Sequence, residues 1–143
     1  MRPFSPFFAI LLFGLQLSGS AWADSMDDQI KAAYDAFNAA FDKGDAKAVT
    51  SFFTEDAIIL GPGPEHAIYK GPAEIEKLYS TLFGMGLSNH TLELIKSVGN
   101  GNILVGADKW GAKAKDKQVG GHAMHVLEKQ SDGSLKLKLL TFN

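Results

Sequence analysis

The hydrophobic period of this sequence changes once, near Asn89, and that single change limits the fold class. Before it, apolar residues recur at helical spacing. Ile30, Ala33, Tyr34, Phe37, Ala40 and Phe41 follow the i, i+3, i+4, i+7 rule, which predicts an amphipathic helix over 27–43 with an aromatic face. Ser25, three residues before Asp28, offers a cap at its start, and Gly44 a left-handed stop at its end. Asp45 can cap a second, shorter helix running through Val49, Phe52 and Phe53, so the two helices form a hairpin hinged at Gly44-Asp45. Ala57-Ile58-Ile59-Leu60 reads as a short strand, broken by Gly61-Pro62-Gly63-Pro64, and a second short strand covers 67–70. Gly71-Pro72 opens a third helix whose buried face is Ile75, Leu78, Tyr79 and Leu82, ending near Gly84.

From Asn89 onward the period is that of strands. Segments 91–98, 103–114, 119–130 and 135–143 read as β, and Asn100-Gly101 and Asp132-Gly133 mark tight hairpin turns. Leu135, Leu137 and Leu139 alternate with Lys136, Lys138 and Leu140, giving one apolar and one mixed face. Helices and short strands first, then a long antiparallel meander, describe an α+β domain closed over by its helices.

Composition narrows the chemistry. A chain of 143 residues supports one domain. With no cysteine there is no disulfide, thiolate metal site or thiol nucleophile. The only arginine is Arg2, and the formal charge is -2, so nothing favours nucleic acid or another polyanion. Residues 1–23 combine Arg2, an apolar run from Phe7 to Leu17, a polar break and the small-x-small tripeptide Ala21-Trp22-Ala23, the pattern of a secretory signal peptide cleaved after Ala23. The apolar run is shorter than a bilayer-spanning helix requires. The expected product is an exported protein, 24–143, free of the membrane after cleavage, and periplasmic in a Gram-negative source. Cleavage also removes the only arginine.

The stretch 36–60, with Phe37, Phe41, Gly44-Asp45, Phe52-Phe53, Thr54-Glu55-Asp56-Ala57 and Ile58-Ile59, followed by Gly71-Pro72-Ala73-Glu74-Ile75, resembles the nuclear transport factor 2-like (NTF2-like) superfamily. Within it, the sequence is most similar to the SnoaL-like and ketosteroid-isomerase-like branch. The resemblance covers nearly all of 24–143. It implies a cone-shaped α+β fold, a curved mixed or antiparallel sheet wrapped around three helices from the N-terminal half, with a pocket between them. Such folds host enzymes, binders and assembly modules, so function must be argued from the site. In ketosteroid-isomerase-like members a carboxylate base follows the first strand; that role falls here at Gly61, which has no side chain. The carbonyl-polarising tyrosine falls at Phe37. The third group, an acid on the penultimate strand, falls near His122. Steroid isomerisation by the familiar mechanism is therefore not expected.

His122 can transfer protons near neutral pH, with Asp108 or His66 as its partner. His122 and His125 lie three apart on a strand and so point to opposite faces, which prevents them from chelating one metal without a bulge. In one register His122, Met124 and Val126 face the pocket and His125 the outside; the opposite register exchanges them. Asp108 shares a face with Trp110, as a pocket carboxylate or as an ordinary exposed strand charge. Tyr34, Phe37, Phe53, Ile59, His66, Trp110 and Met124 are the candidate ligand contacts, Tyr34 and Trp110 each bringing a polar handle to an apolar wall. No metal or cofactor is called for. The leading expectation is a protein that binds a small apolar molecule. The alternatives are a cofactor-free isomerase, cyclase or lyase using His122, and a non-catalytic dimeric assembly module. A homodimer through the outer face of the sheet is expected, with Leu92, Leu94 or Leu140 contributing.

Overall fold

A computed structural model describes residues 25–61 and 67–143. Helix α1 spans Met26–Asp42 and α2 Ala46–Thr50; strand β1 is Phe53–Leu60 and β2 Ile68–Lys70; α3 is Gly71–Gly84. The meander follows as β3 Leu87–Asn100, β4 Ile103–Ala114, β5 Lys117–Lys129 and β6 Leu135–Phe142. The six strands form one mixed, open sheet in the order β2-β1-β6-β5-β4-β3. All neighbours are antiparallel except β1 and β6. With three helices set against it, this is the cone-shaped NTF2-like fold that the sequence implied.

The local signals act as read. Ser25 Oγ accepts from the Asp28 amide at 3.2 Å and Asp45 Oδ1 from the Ala48 amide at 3.0 Å, satisfying donors that a helix start leaves open. Both hairpin glycines adopt left-handed conformations, Gly101 at φ 54° and Gly133 at φ 85°. Two boundaries differ from the sequence reading. The second helix stops at Thr50 because Phe53 enters the sheet, where it pairs with Leu137 and the Phe52 carbonyl accepts from the Leu137 amide at 2.7 Å. Aromatic and β-branched residues here follow the pairing available from β6 rather than helical spacing. Strand β3 begins at Leu87, not Thr91, because register shifts between Ser88 and Thr91 and between Leu94 and Lys96 break its alternation. Such bulges bend a sheet, and this one must bend to enclose the helices.

The core fills the space between helices and sheet. Ile30, Val49, Ile59 and Ile75 have no exposed surface. Phe37 makes edge-on contacts with Phe52, Phe53 and Tyr79, and Phe41 packs edge-on against Phe83 at 4.8 Å between ring centroids. The helical aromatic stripe is thus the inner surface of the cone.

Candidate functional site

The cone encloses a cavity of about 280 Å³. Its wall is almost wholly apolar, built from Phe37 and Phe41 on α1, Leu78 and Leu82 on α3, and the inward residues Leu127 and Leu140 of the sheet. Tyr34, Tyr79, His90, Trp110 and His125 bring the polar atoms on that wall. Among the described residues lining it there is no lysine, and none is a carboxylate.

Tyr34 and His125 on the wall form a buried cluster with Asp108 behind it. Period 2 places Gly106 and Asp108 on the inner face of β4, and the β4/β5 register sets His125 opposite Gly106. Asp108 is therefore a diagonal neighbour of His125. Tyr34 comes down from α1, one turn before Phe37. It donates its hydroxyl proton to Asp108 Oδ1, and Asp108 Oδ2 pairs with His125 Nδ1, with no other partner among the described residues. Tyr34 Oη also lies 3.3 Å from His125 Nδ1. Asp108 has no exposed surface, and Tyr34 and His125 are both 4% exposed. Burial, reinforced by the hydrogen bond to Asp108 and its charge, pushes the Tyr34 phenol well above its ordinary range. Gly106 is what admits this arrangement: a Cβ there would lie 2.6 Å from Tyr34 Oη.

A carboxylate only accepts, so pairing with Asp108 puts a proton on His125 Nδ1, and in the neutral ring Nε2 is then the acceptor. No partner for Nε2 occurs among the described residues. Since Asp108 is absent from the cavity wall while His125 is on it, the carboxylate orients the ring and the ring meets the cavity. An imidazole held by a buried carboxylate, with its other nitrogen open, can accept a hydrogen bond or a proton.

A second histidine, His90, also lines the cavity. It stacks on Phe41 at 4.6 Å and 27°, and its Nδ1 lies 2.7 Å from Asn38 Oδ1. The residue before it, Asn89, takes a left-handed φ of 51° inside the first bulge of β3, a conformation that asparagine tolerates better than most side chains. Burial first, then the nearby His125, lowers the His90 pKa from 6.5 to about 4, against a smaller opposing effect of Asp42. An unfolded chain thus takes up a proton at His90 well before the folded one does. The stability present above pH 6.5 is lost as pH falls toward 4. Between about pH 7 and about pH 5 this site alone costs roughly 2 kcal/mol. Chemical denaturation at the two pH values should show that difference in the native protein and little of it in His90→Gln.

The positions proposed from sequence divide clearly. Tyr34, Phe37 and Trp110 lie on the cavity wall. Asp108 is buried behind it, not an exposed strand charge. Phe53 and Ile59 are core residues, 3% and 0% exposed, that do not line the cavity. The register is the one that sends His125 inward. His122 and Met124 lie on the outer face, His122 exposed and Met124 52% exposed, so neither can touch a molecule inside the cone. Ala123, His125 and Leu127 take the inner positions in their place. His122 does not face Asp108 from within. His66 lies outside the described residues, as does the segment 1–23. Leu92 and Leu140 turn inward to the cavity wall, and Leu94 packs against the core from the same face. His90 was not singled out by the sequence reading, although counting back by two from Leu94 through Leu92 reaches it.

An α+β cone with an internal apolar cavity and a buried Tyr-Asp-His cluster defines the class of protein. The sequence profile of the SnoaL-like domain matches residues 34–136, and the chain belongs to that family. Among solved structures, it is similar to a ketosteroid isomerase-like protein from Erwinia carotovora atroseptica SCRI1043, with 20% identity, a TM-score of 0.67, and coverage of 80% of this chain and 92% of that one. It is also similar to an NTF-2 like protein of unknown function from Shewanella oneidensis MR-1, at 15% identity, TM-score 0.70, covering 81% and 97% of the two chains. A domain of unknown function with a cystatin-like fold from Nostoc punctiforme PCC 73102 matches at 16% identity and TM-score 0.69, over 84% and 78%. At these identities the likeness is one of fold. No curated protein matches the sequence.

Proposed function

We propose that this is an exported protein that binds one small, mainly apolar molecule inside the cone. The observation that carries the reading is the cavity of about 280 Å³, apolar on nearly all its wall and furnished with a few fixed polar atoms. That combination is the usual form of a small-molecule site, where apolar contact supplies affinity and a few polar groups fix orientation. The volume is that of roughly nine liquid waters, or of a compact one- or two-ring molecule. Native mass spectrometry of protein purified from its own host tests the reading. A single adduct of small mass, released on denaturation, supports it; a bare protein that also gives no thermal shift with any apolar compound contradicts it. The same spectra report whether the chain begins at Asp24, as export with cleavage after Ala23 requires.

A second reading is favoured by the Asp108–His125 pair: cofactor-free proton transfer of an isomerase-like kind. His125 Nε2 would act as the base, with Asp108 holding the tautomer and stabilising the imidazolium that forms. This gives the acid-base role to His125 rather than His122. Solvent deuterium exchange into a bound carbon acid, lost in His125→Gln, is the expected signature. Its absence for every bound compound leaves the binding reading alone.

The outer face of the sheet supports a homodimer. The register aligns Ile58, Leu139, Val126, Val105 and Val98 in one row across five strands, with Met124 beside it. A contiguous apolar row on an exposed face is a docking surface, and a second copy offers the matching row. Light scattering should give a dimer mass at micromolar concentration and a monomer for Val105→Lys with Val126→Lys. A native monomer contradicts this assignment.

A further inference from the structure

We propose that the cavity selects molecules carrying a hydroxyl or N–H donor, phenols or compact fused-ring alcohols, over aldehydes, ketones and carboxylates of the same shape. The inference rests on the cavity being the ligand site and adds the chemical class of its occupant.

The argument is an inventory of hydrogens. Two of the donors on the wall are already committed: the Tyr34 hydroxyl to Asp108, and Trp110 Nε1 to the Asn143 backbone oxygen at 3.1 Å. His125 carries a proton on Nδ1, toward Asp108, and in the neutral ring Nε2 is an acceptor. His90 repeats the pattern. Its Nδ1 lies 2.7 Å from Asn38 Oδ1, which only accepts, so with the amide in this orientation the ring proton sits on Nδ1 and Nε2 is the acceptor. Two bare imidazole nitrogens thus belong to rings on one apolar wall. Among the described residues of the wall the Tyr79 hydroxyl is the remaining polar group, and it can donate or accept. Whichever way that hydroxyl turns, acceptors outnumber donors: a ligand donor has two ring nitrogens open to it, a ligand carbonyl at most the Tyr79 hydroxyl. A carboxylate fares worst, because no lysine is among the described residues that line the cavity and the Asp108 charge lies just behind it. The low pKa of His90 agrees with this, since it keeps that ring neutral and its Nε2 open at neutral pH.

The test is calorimetric titration of the mature protein with naphthol, methylnaphthalene, naphthaldehyde and naphthoate, all substituted at the same ring position. A hydrogen bond gained in a buried site corresponds to roughly 5- to 10-fold in affinity. Naphthol should bind tighter than methylnaphthalene by about that factor, naphthaldehyde should gain less than naphthol, and naphthoate should not bind. In His90→Phe the naphthol advantage should shrink while methylnaphthalene still binds, which reports an intact cavity. Ring-nitrogen NMR should show both histidines protonated on Nδ1, with an Nε2 resonance moving on addition of naphthol and not of methylnaphthalene. Equal binding of naphthol and methylnaphthalene overturns the inference and leaves the cavity reading standing. Failure of all four compounds to bind overturns both.

Discussion

Replacing Asp108 with alanine lowers the stability of the folded protein by roughly 3–5 kcal/mol, the cost of breaking a buried, paired charge. The loss has two sources. Tyr34 and His125, each 4% exposed, keep their donors and lose the acceptor both were directed at. An unsatisfied buried donor carries its full desolvation cost, which is larger than the net worth of the bond it replaces. The vacated space beside Gly106 adds a packing loss. For a domain of this size the change corresponds to a melting temperature lower by roughly 10–20 °C. Urea denaturation measures it directly. Asp108→Asn separates the contributions: it keeps an acceptor for one partner but turns an amide N–H toward the other, so an intermediate loss is expected. In a double-mutant cycle with Tyr34→Phe, the coupling should be on the order of 1–3 kcal/mol. Full additivity would mean that the Tyr34–Asp108 contact contributes nothing to the fold.

The second large effect is on binding. Ala123 lies on the inner face of β5, opposite Asp108 on one side and Phe142 on the other, and its methyl group is part of the cavity wall. Ala123→Phe sends a ring into a space of about 280 Å³ and should reduce affinity for an apolar ligand by about 100-fold or more, because the ligand and the new ring claim the same volume. Stability should change little or rise, since an apolar side chain replaces empty space. Ala33→Leu, on α1, intrudes from another wall and should weaken binding in the same direction. Retention of native affinity by both variants would place the ligand elsewhere.

The sequence carried the fold well because its strongest signals are local. Ser25, Asp45, Asn100-Gly101 and Asp132-Gly133 each act within three or four residues of themselves, and the helical stripe from Ile30 to Phe41 has only one way to face a core. The inward face of β5 was not legible for a physical reason. Met124 and Val126 on one side and Ala123 and Leu127 on the other are all apolar, so alternation gives no preference between registers. The outer face carries apolar residues of its own, which removes the contrast on which period 2 depends. The inward position of His125 is decided instead by pairing, with Gly106 across the ladder and Asp108 on the diagonal, and such contacts between β4 and β5 are not written in either strand alone. Asp108 followed from the same pairing: an acid in a strand is ordinarily solvated, and it takes His125 on β5 together with Tyr34, far away on α1, to make its burial tolerable. His90 was hidden by one residue. The bulge at Asn89 shifts the start of β3, and a strand taken to begin at Thr91 leaves the histidine outside it.

The cluster also explains how a chain without cysteine can keep polar atoms within an apolar cone. The one buried acid among the described residues is held by a phenol and an imidazole, both of which can lie in an apolar wall at modest cost. The result is a site whose polar atoms are fixed by the protein before any ligand arrives, and preorganisation of that kind preserves affinity that would otherwise be spent on ordering.

Calorimetric titration of methylnaphthalene into the native protein and into Ala123→Phe tests the central claim most directly. The cavity account predicts saturable binding of one molecule per chain with a negative heat-capacity change, lost in the variant while the variant stays folded. Absence of saturable binding to the native protein, or equal binding by the two, would contradict it.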